Sequence, residues 1–526
     1  MGINALDALV AFIALWVLLS VWAGYTIGIS LFVPIVSILL ALYFVKKNKT
    51  LLKEPFPILP GIVIGLLILT GTAIVLFGIQ KGFDLSADTA PSFTATLIDK
   101  VIPLTYQPFF DLPLFYPMGL PTIVSQLSSI PIIGIQIHQW GWLLGVLGIL
   151  LSIFYLSRIV FEETKNKWAV WTMVILFIGL RIPFQSLLVG EYPLLLGAGI
   201  GLAGVWIMKK KPIESSIVLA ATFMIHPYLG IGMALFGFLW NRPNIKETLK
   251  MAATGIILIS PVIIYQFIPF LQMGGGNNSG NGFLTIESIT GQISLIGIIP
   301  FILYLVGLFI IIVKKEKISS PLIRITLIVA IGLLGSFVGM FFPNFVFGSK
   351  LLVLSCFGTI TGAGILIAEK IDNRKIPVIL VLLFLLTAGI LITSNNMQRL
   401  AKGSKISIEE AEFAQWFGSF DEKKETVLFL SKGHGKMSQY SNKIPIDPSA
   451  SHFFTFILLN TSDNKEVKRI IEQSERFKKI LNEKCVECID DFNASYIVVN
   501  KKEFPLLEKE IVLEKDNFIV YKGNQT

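Results

Sequence analysis

Apolar residues run along this chain in long blocks rather than in alternation with polar ones. Blocks long enough to cross a lipid hydrocarbon layer cover about 5–23, 27–45, 58–79, 133–158, 251–271, 289–313, 322–342, 350–369 and 376–394. Two further stretches, 168–208 and 213–240, are interrupted midway. The first breaks at Arg181-Ile182-Pro183 and Gly190-Glu191-Tyr192-Pro193, the second at His226-Pro227. Proline inside a helix removes a backbone donor and clashes with the preceding turn; the first stretch is long enough for two spans, and the second reads as one long helix or two short ones meeting at His226. Beyond residue 394 the pattern shortens and alternates. It predicts helix over 408–418, strand over 425–430, helix over 464–484, strand over 495–500, helix over 504–509, and strands over 510–513 and 517–522. Within it, Tyr496-Ile497-Val498-Val499 has the short β-branched character of a buried strand.

Basic residues orient the blocks. With both interrupted stretches paired, 20 Lys and Arg collect on one side and four, Lys81, Lys100, Arg181 and Lys350, on the other. Treating 213–240 as one span would carry ten of the twenty across and level the bias, against the excess of Lys and Arg in cytoplasmic loops. The expected architecture is therefore a polytopic α-helical membrane protein of about 13 spans. Its N-terminus is cytoplasmic, and a soluble α/β domain over 395–526 lies outside the cell membrane. Helices meeting at His226 are short for a full span, which predicts a cavity on the outer side, where broken backbone is tolerated.

Composition agrees and narrows the function. Hydrophobic residues make up 53% of the 526 and charged residues 15%, which excludes a string of soluble domains. The net charge of +9 is confined to the membrane part: residues 395–526 carry 20 basic and 20 acidic side chains, and the rest carries 24 and 15. The surplus is the orienting bias, so nucleic acid is not an expected partner. The first block lacks a basic leader and a small-residue cleavage site, and reads as a retained span. Three cysteines, Cys356, Cys485 and Cys488, are too few for a disulfide scaffold. Cys485-Val486-Glu487-Cys488 has no second pair to complete a zinc site, leaving a local disulfide or two free thiols.

Candidate chemistry gathers on the side away from the lysines. The loop over 80–131 contains Asp84 and Asp88, four apart, and reaches Tyr116-Pro117-Met118-Gly119. On a helical turn the two carboxylates share a face. They could serve as a general base or hold a divalent cation, Mg or Mn; the alternative is a solvated loop with a capping Asp. The stretch 119–130 is too short to span and suits an amphipathic helix lying in the interface. Arg181, Glu191, Tyr192, His226, Tyr228 and Lys350 fall on the same side. Glu191, between apolar helices, requires a partner, with Arg181 the nearest candidate. Lys350 and Arg181 also fit interfacial anchors, and His226 a hydrogen-bonded interior residue.

This arrangement resembles the GT-C superfamily of polyprenyl-phosphate-dependent glycosyltransferases, moderately over 58–240 and by topology beyond. In that fold a long first outer loop carries a catalytic Asp, matched by Asp88 or Asp84. A Pro-rich motif follows, matched by Tyr116-Pro117-Met118-Gly119 with Met118 in place of the second Pro. The resemblance divides the chain into two N-terminal transmembrane helices (1–54), a core (55–394) and the outer domain (395–526). It implies inverting transfer of a sugar from a polyprenyl-phosphate-linked donor, itself a membrane lipid, to a lipid, glycan or protein acceptor. Asp88 or Asp84 would be the base. Arg181, His226 and Lys350 would hold the donor phosphate, and Glu191, Tyr192, Tyr116 and Tyr228 would line the substrate site. A divalent cation on Asp84 and Asp88 is a further option. The acidic pair is spaced Asp-x-x-x-Asp, unlike the family pattern, and no oligosaccharyltransferase-type motif occurs in the tail. The competing readings are a transporter or lipid-linked glycan flippase, and a non-catalytic scaffold for envelope assembly.

The remaining signals are weaker. Lys432-Gly433-His434-Gly435 follows a strand and reads as a phosphate or sugar loop or a plain turn. Gly274 to Gly282 reads as a linker, and Asn277, Asn460, Asn493 and Asn524 each begin an N-x-Ser/Thr triplet. No internal repeat of fixed period is present.

Overall fold

The computed structural model describes residues 3–28, 32–47, 102, 117–128, 137–178, 180, 182–188, 191–269, 296–314, 319–341, 348–370, 407–420, 425–431, 437, 441, 443–445, 472, 475–477 and 479–524. The first part is helical: α1 (Ile3–Thr26), α2 (Phe32–Lys47), α3 (Gly119–Ser128), α4 (Ile137–Thr164), α5 (Lys167–Ile178), α6 (Ile182–Leu188) and α7 (Tyr192–Met208). There follow α8 (Pro212–Ile225), α9 (Pro227–Asn241), α10 (Ile245–Val262), α11 (Ile298–Val313), α12 (Ser320–Phe341) and α13 (Leu352–Lys370).

Among the described residues four helices are long and apolar enough to cross a membrane: Asp7–Thr26, Trp140–Thr164, Ile245–Phe267 and Ser320–Phe337. Six shorter apolar helices accompany them. Large apolar side chains such as Ile257 on α10 and Phe309 on α11 stand more than 60% exposed, an arrangement that lipid satisfies and water does not. The expected spans 58–79 and 376–394 lie outside the described residues.

Local sequence explains where the helices start and stop. Prolines occupy the first turns of α7, α8 and α9, where no helical donor is lost. Arg242 adopts a left-handed conformation (φ 49°) and ends α9, and Asn244 with Glu247 forms a capping box that opens α10.

Packing partners give the helix directions. Down α7, Gly197, Gly201 and Gly204 face Ile225, Thr222 and Leu219 of α8, so α8 runs against α7. Gly197 and Gly201 also face Leu229 and Met233 of α9, and Met208 faces Gly237, so α9 runs with α7. The chain therefore doubles back at His226, as expected. Residues 168–208 likewise fold as separate helices, with the short α6 inserted between α5 and α7. In parallel with α7 runs α4: Gly141 faces Tyr192, and Arg158 lies over the Trp206 ring at 4.7 Å.

One expectation is overturned at α3. The helix forms, but it does not lie in the interface. Gly119, Leu120, Pro121, Thr122, Ile123, Val124 and Gln126 are all buried. Gln126 accepts hydrogen bonds from Trp16 Nε1 and, at 3.1 Å, from Ser20 Oγ of α1. A Cβ on Gly119 would stand 2.8 Å from the Met224 carbonyl oxygen, so only glycine permits this approach.

The tail is a small α/β unit: α14 (Ile408–Phe420), β1 (Thr426–Leu430), β2 (Ile444–Pro445), β3 (Tyr496–Asn500), β4 (Ile511–Lys515) and β5 (Phe518–Lys522). The sheet order is β2-β1-β3-β5-β4, with β2, β1 and β3 parallel and β5 and β4 antiparallel. Side chains alternate across it. Val427, Phe429, Val498 and Phe518 meet Phe413 and Phe417 of α14, and Leu428, Leu430, Ile497 and Ile519 meet Phe477 and Ile480 on the other face. The helix expected over 504–509 does not form. Residues 501–503 turn, Pro505 follows, and Leu507 N donates to Tyr521 Oη at 3.2 Å. So short a run does not nucleate a helix when its apolar residues are anchored elsewhere. Cys485 and Cys488 form a disulfide.

Candidate functional site

The two ends of α7 carry different groups. At its C-terminal end, Arg158 of α4 pairs with Asp7 of α1 at 2.9 Å, and Tyr155 Oη donates to the same carboxylate at 2.8 Å. Arg324 of α12 pairs with Glu163 at 3.2 Å, donates to the Trp240 carbonyl at 2.6 Å and lies 4.7 Å over the Trp240 ring. Lys209 pairs with Glu162 at 2.9 Å. Arg158, Lys209 and Arg324, expected on the lysine-rich side, thus share one end of the bundle.

At the other end, roughly 25 Å away by helix rise, the backbone is broken in three places. Glu191 precedes α7 with φ −73° and ψ 50°, outside helical geometry. His226, between α8 and α9, is extended at φ −156° and ψ 100°. Lys350 sits in a 3-10 turn, Gly348–Leu351, that leads into α13. These breaks converge. Lys350 Nζ forms an ion pair with Glu191 Oε1, and Ser186 Oγ of α6 donates to Oε2 at 2.7 Å. The Glu191 backbone N–H also donates to the Ser186 carbonyl at 2.8 Å, fixing the loop. His226 lies within electrostatic reach of both Glu191 and Lys350. Its Nδ1 accepts from Leu229 N at 3.4 Å, which assigns the proton of the neutral ring to Nε2. The side chains of Lys350 and Glu191 are 18% and 26% exposed, so the pair is sheltered but reachable.

Several expected residues fall here, some in altered roles. Glu191 pairs with Lys350, which is thereby engaged in an ion pair instead of standing as an interfacial anchor. Tyr192 is not open to a substrate: it is 2% exposed, with its ring packed on Gly141 and Gly145 of α4. Tyr228 is partly buried, its ring centroid 6.4 Å from that of His226. The Pro117-Met118-Gly119 motif leads into α3, where Gly119 abuts Met224, two residues before His226. The first-loop motif and the broken helix pair are therefore neighbours.

Asp84, Asp88, Tyr116 and Arg181 lie outside the described residues, as do Lys432-Gly433-His434-Gly435 and the Gly274–Gly282 stretch. Among the described residues no three His, Cys, Asp or Glu side chains gather as metal ligands. Ser186 was missed by sequence reasoning. A serine in the short apolar helix α6 carries no signal until the fold sets its hydroxyl on the Glu191 carboxylate.

Chemically, the cluster combines an ammonium, an imidazole and a hydroxyl around one carboxylate. The N-terminal ends of α7 and α9, the partially positive ends of those helices, start beside it. Such a setting favours an anionic group. Compared with known proteins, the chain matches no family model and no curated protein.

Proposed function

We propose that the chain is a membrane glycosyltransferase of about 13 spans that takes a sugar from a polyprenyl-phosphate-linked donor on the extracytoplasmic face. The observation that carries this reading is the convergence of Lys350, His226 and Glu191 with the Pro117-Met118-Gly119 turn at the end of the bundle opposite Arg158, Lys209 and Arg324. In this reading Lys350, His226 and Arg181 receive the donor phosphate. Asp88 or Asp84 takes the proton of the acceptor hydroxyl, whose oxygen attacks the anomeric carbon with inversion as its bond to the donor phosphate breaks. Positive charge at the leaving phosphate and a carboxylate at the acceptor are what the transfer requires. A donor with a polyprenyl tail enters sideways from the bilayer, which suits a site made from helix breaks.

Replacing each aspartate in turn, Asp84→Asn and Asp88→Asn, tests the reading. Loss of the base is expected to lower sugar transfer by about 10²–10⁴-fold for one of the two, with membrane insertion and thermal unfolding unchanged. Full activity in both variants, and in the double variant, would remove the enzyme reading. The broken pair at His226 also suits a transporter; for that reading, radiolabelled donor would cross proteoliposomes without sugar transfer.

A further inference from the structure

The Lys350–Glu191 pair is in the wrong state to receive a phosphate, and this points to a control step. Lys350 is the cation of the cluster, yet its ammonium already holds a carboxylate. That carboxylate belongs to the residue preceding α7, a helix end that favours an anion. A phosphate arriving with Glu191 in place would put two anions against one ammonium, and like charges at that spacing repel. We propose that Glu191 is a resident anion standing in for the ligand phosphate, and that a phosphomonoester or phosphodiester headgroup binds by displacing the Glu191 carboxylate from Lys350.

The geometry provides for the displacement. Ser186 Oγ holds Oε2, the oxygen not engaged by Lys350, and the Glu191 backbone is held separately by the Ser186 carbonyl. The carboxylate can therefore turn away from Lys350 while keeping the serine hydroxyl, without moving α7. His226 keeps its Nδ1 on the α9 backbone, which leaves Nε2 as its donor. Between ligands the pair neutralises Lys350, which keeps the cluster closed to weak anions such as chloride. Identifying the headgroup as that of a polyprenyl-phosphate donor rests on the glycosyltransferase reading. The exchange of anions on Lys350 does not.

The test measures binding of farnesyl phosphate and of inorganic phosphate to the full-length protein in detergent, with wild type, Glu191→Gln, Ser186→Ala and Lys350→Met compared. Displacement predicts that Glu191→Gln tightens farnesyl phosphate binding about tenfold, since the competitor is gone, and that Lys350→Met abolishes it. Ser186→Ala removes the group that receives the displaced carboxylate. It is expected to weaken binding about threefold, a change that keeps the idea testable if Glu191→Gln does not fold. Binding that requires Lys350 but is unchanged or weaker in Glu191→Gln overturns the displacement and leaves the lipid-donor reading standing. Equal affinity for inorganic and farnesyl phosphate, with Glu191→Gln still tightening both, supports displacement and overturns the lipid donor. No binding of either probe to folded protein overturns both.

Discussion

The two ends of α7 both hold ion pairs, and they differ in what surrounds them. At the Arg158 end the charges are stapled between intact helices. Arg158, 4% exposed, reaches Asp7 on α1, lies over Trp206 on α7 and shares its carboxylate with Tyr155. Arg324 repeats the pattern with Glu163 and Trp240. At the Glu191 end, the partners sit on non-helical backbone; they are more exposed than Arg158 and Asp7, and about as exposed as Arg324 and Glu163. A charge enclosed by rings and straight helices fastens the bundle. One placed at converging helix breaks can exchange its partner.

The contrast can be broken at its stronger side first. Arg158→Met leaves Asp7, among the described residues, with only Tyr155 and is expected to destabilise the protein by about 3–5 kcal/mol, the usual cost of stranding a buried charge. Thermal unfolding in detergent measures this, while phosphate binding by the molecules that remain folded stays at wild-type affinity. Equal destabilisation by Lys350→Met would erase the distinction between the ends. Gly119→Ala is next. Its methyl would meet the Met224 carbonyl at 2.8 Å, so the α3–α8 contact must open, at about 1–3 kcal/mol. Because His226 follows two residues later, farnesyl phosphate binding is expected to fall as well. A stability loss with unchanged binding would detach the motif from the site.

The tail supplies the smallest effect and a control outside the bundle. Bonds from Asn517 and Lys502 hold the Glu409 carboxyl below its ordinary value of 4.5, and those from Lys509 and Asn524 do the same for Asp490 below 3.8. Carboxyls depressed in the folded state support it fully above their unfolded values and lose that support as pH falls through the lower folded ones. Tail stability is thus expected to decline as pH falls below about 4.5. Glu409→Gln should flatten part of that slope in a pH series of urea unfolding monitored on the tail tryptophan Trp416. An unchanged slope would remove Glu409 from the explanation.

Much of this was legible in linear order because it depends on neighbours in the chain. Pro227 after His226 guarantees a break wherever the helices pack, and alternation in Val427-Leu428-Phe429-Leu430 assigns both faces of β1 without knowing what covers them. Glu191 was visible as a carboxylate in an apolar stretch. Its partner was not: Lys350 is 159 positions away, whereas Arg181 is ten away and was the nearer guess. The interior placement of α3 escaped for a similar reason. Its apolar face suits a membrane surface as well as a protein interior, and only the approach to Met224 across the bundle decides between them.

The sequence by itself determined which segments are apolar, where helices must stop and which polar residues lie at those stops, since backbone propensity and hydrophobic period are local properties. Tertiary structure alone decided that three separate stops meet, that Lys350 answers Glu191, and that the Tyr192 ring is buried against α4. Those outcomes depend on which helices lie side by side and in which direction. That is settled by the close approach of Gly141, Gly145 and Gly197 to side chains distant in the chain, and by the energetic need to pair a charge wherever folding leaves it.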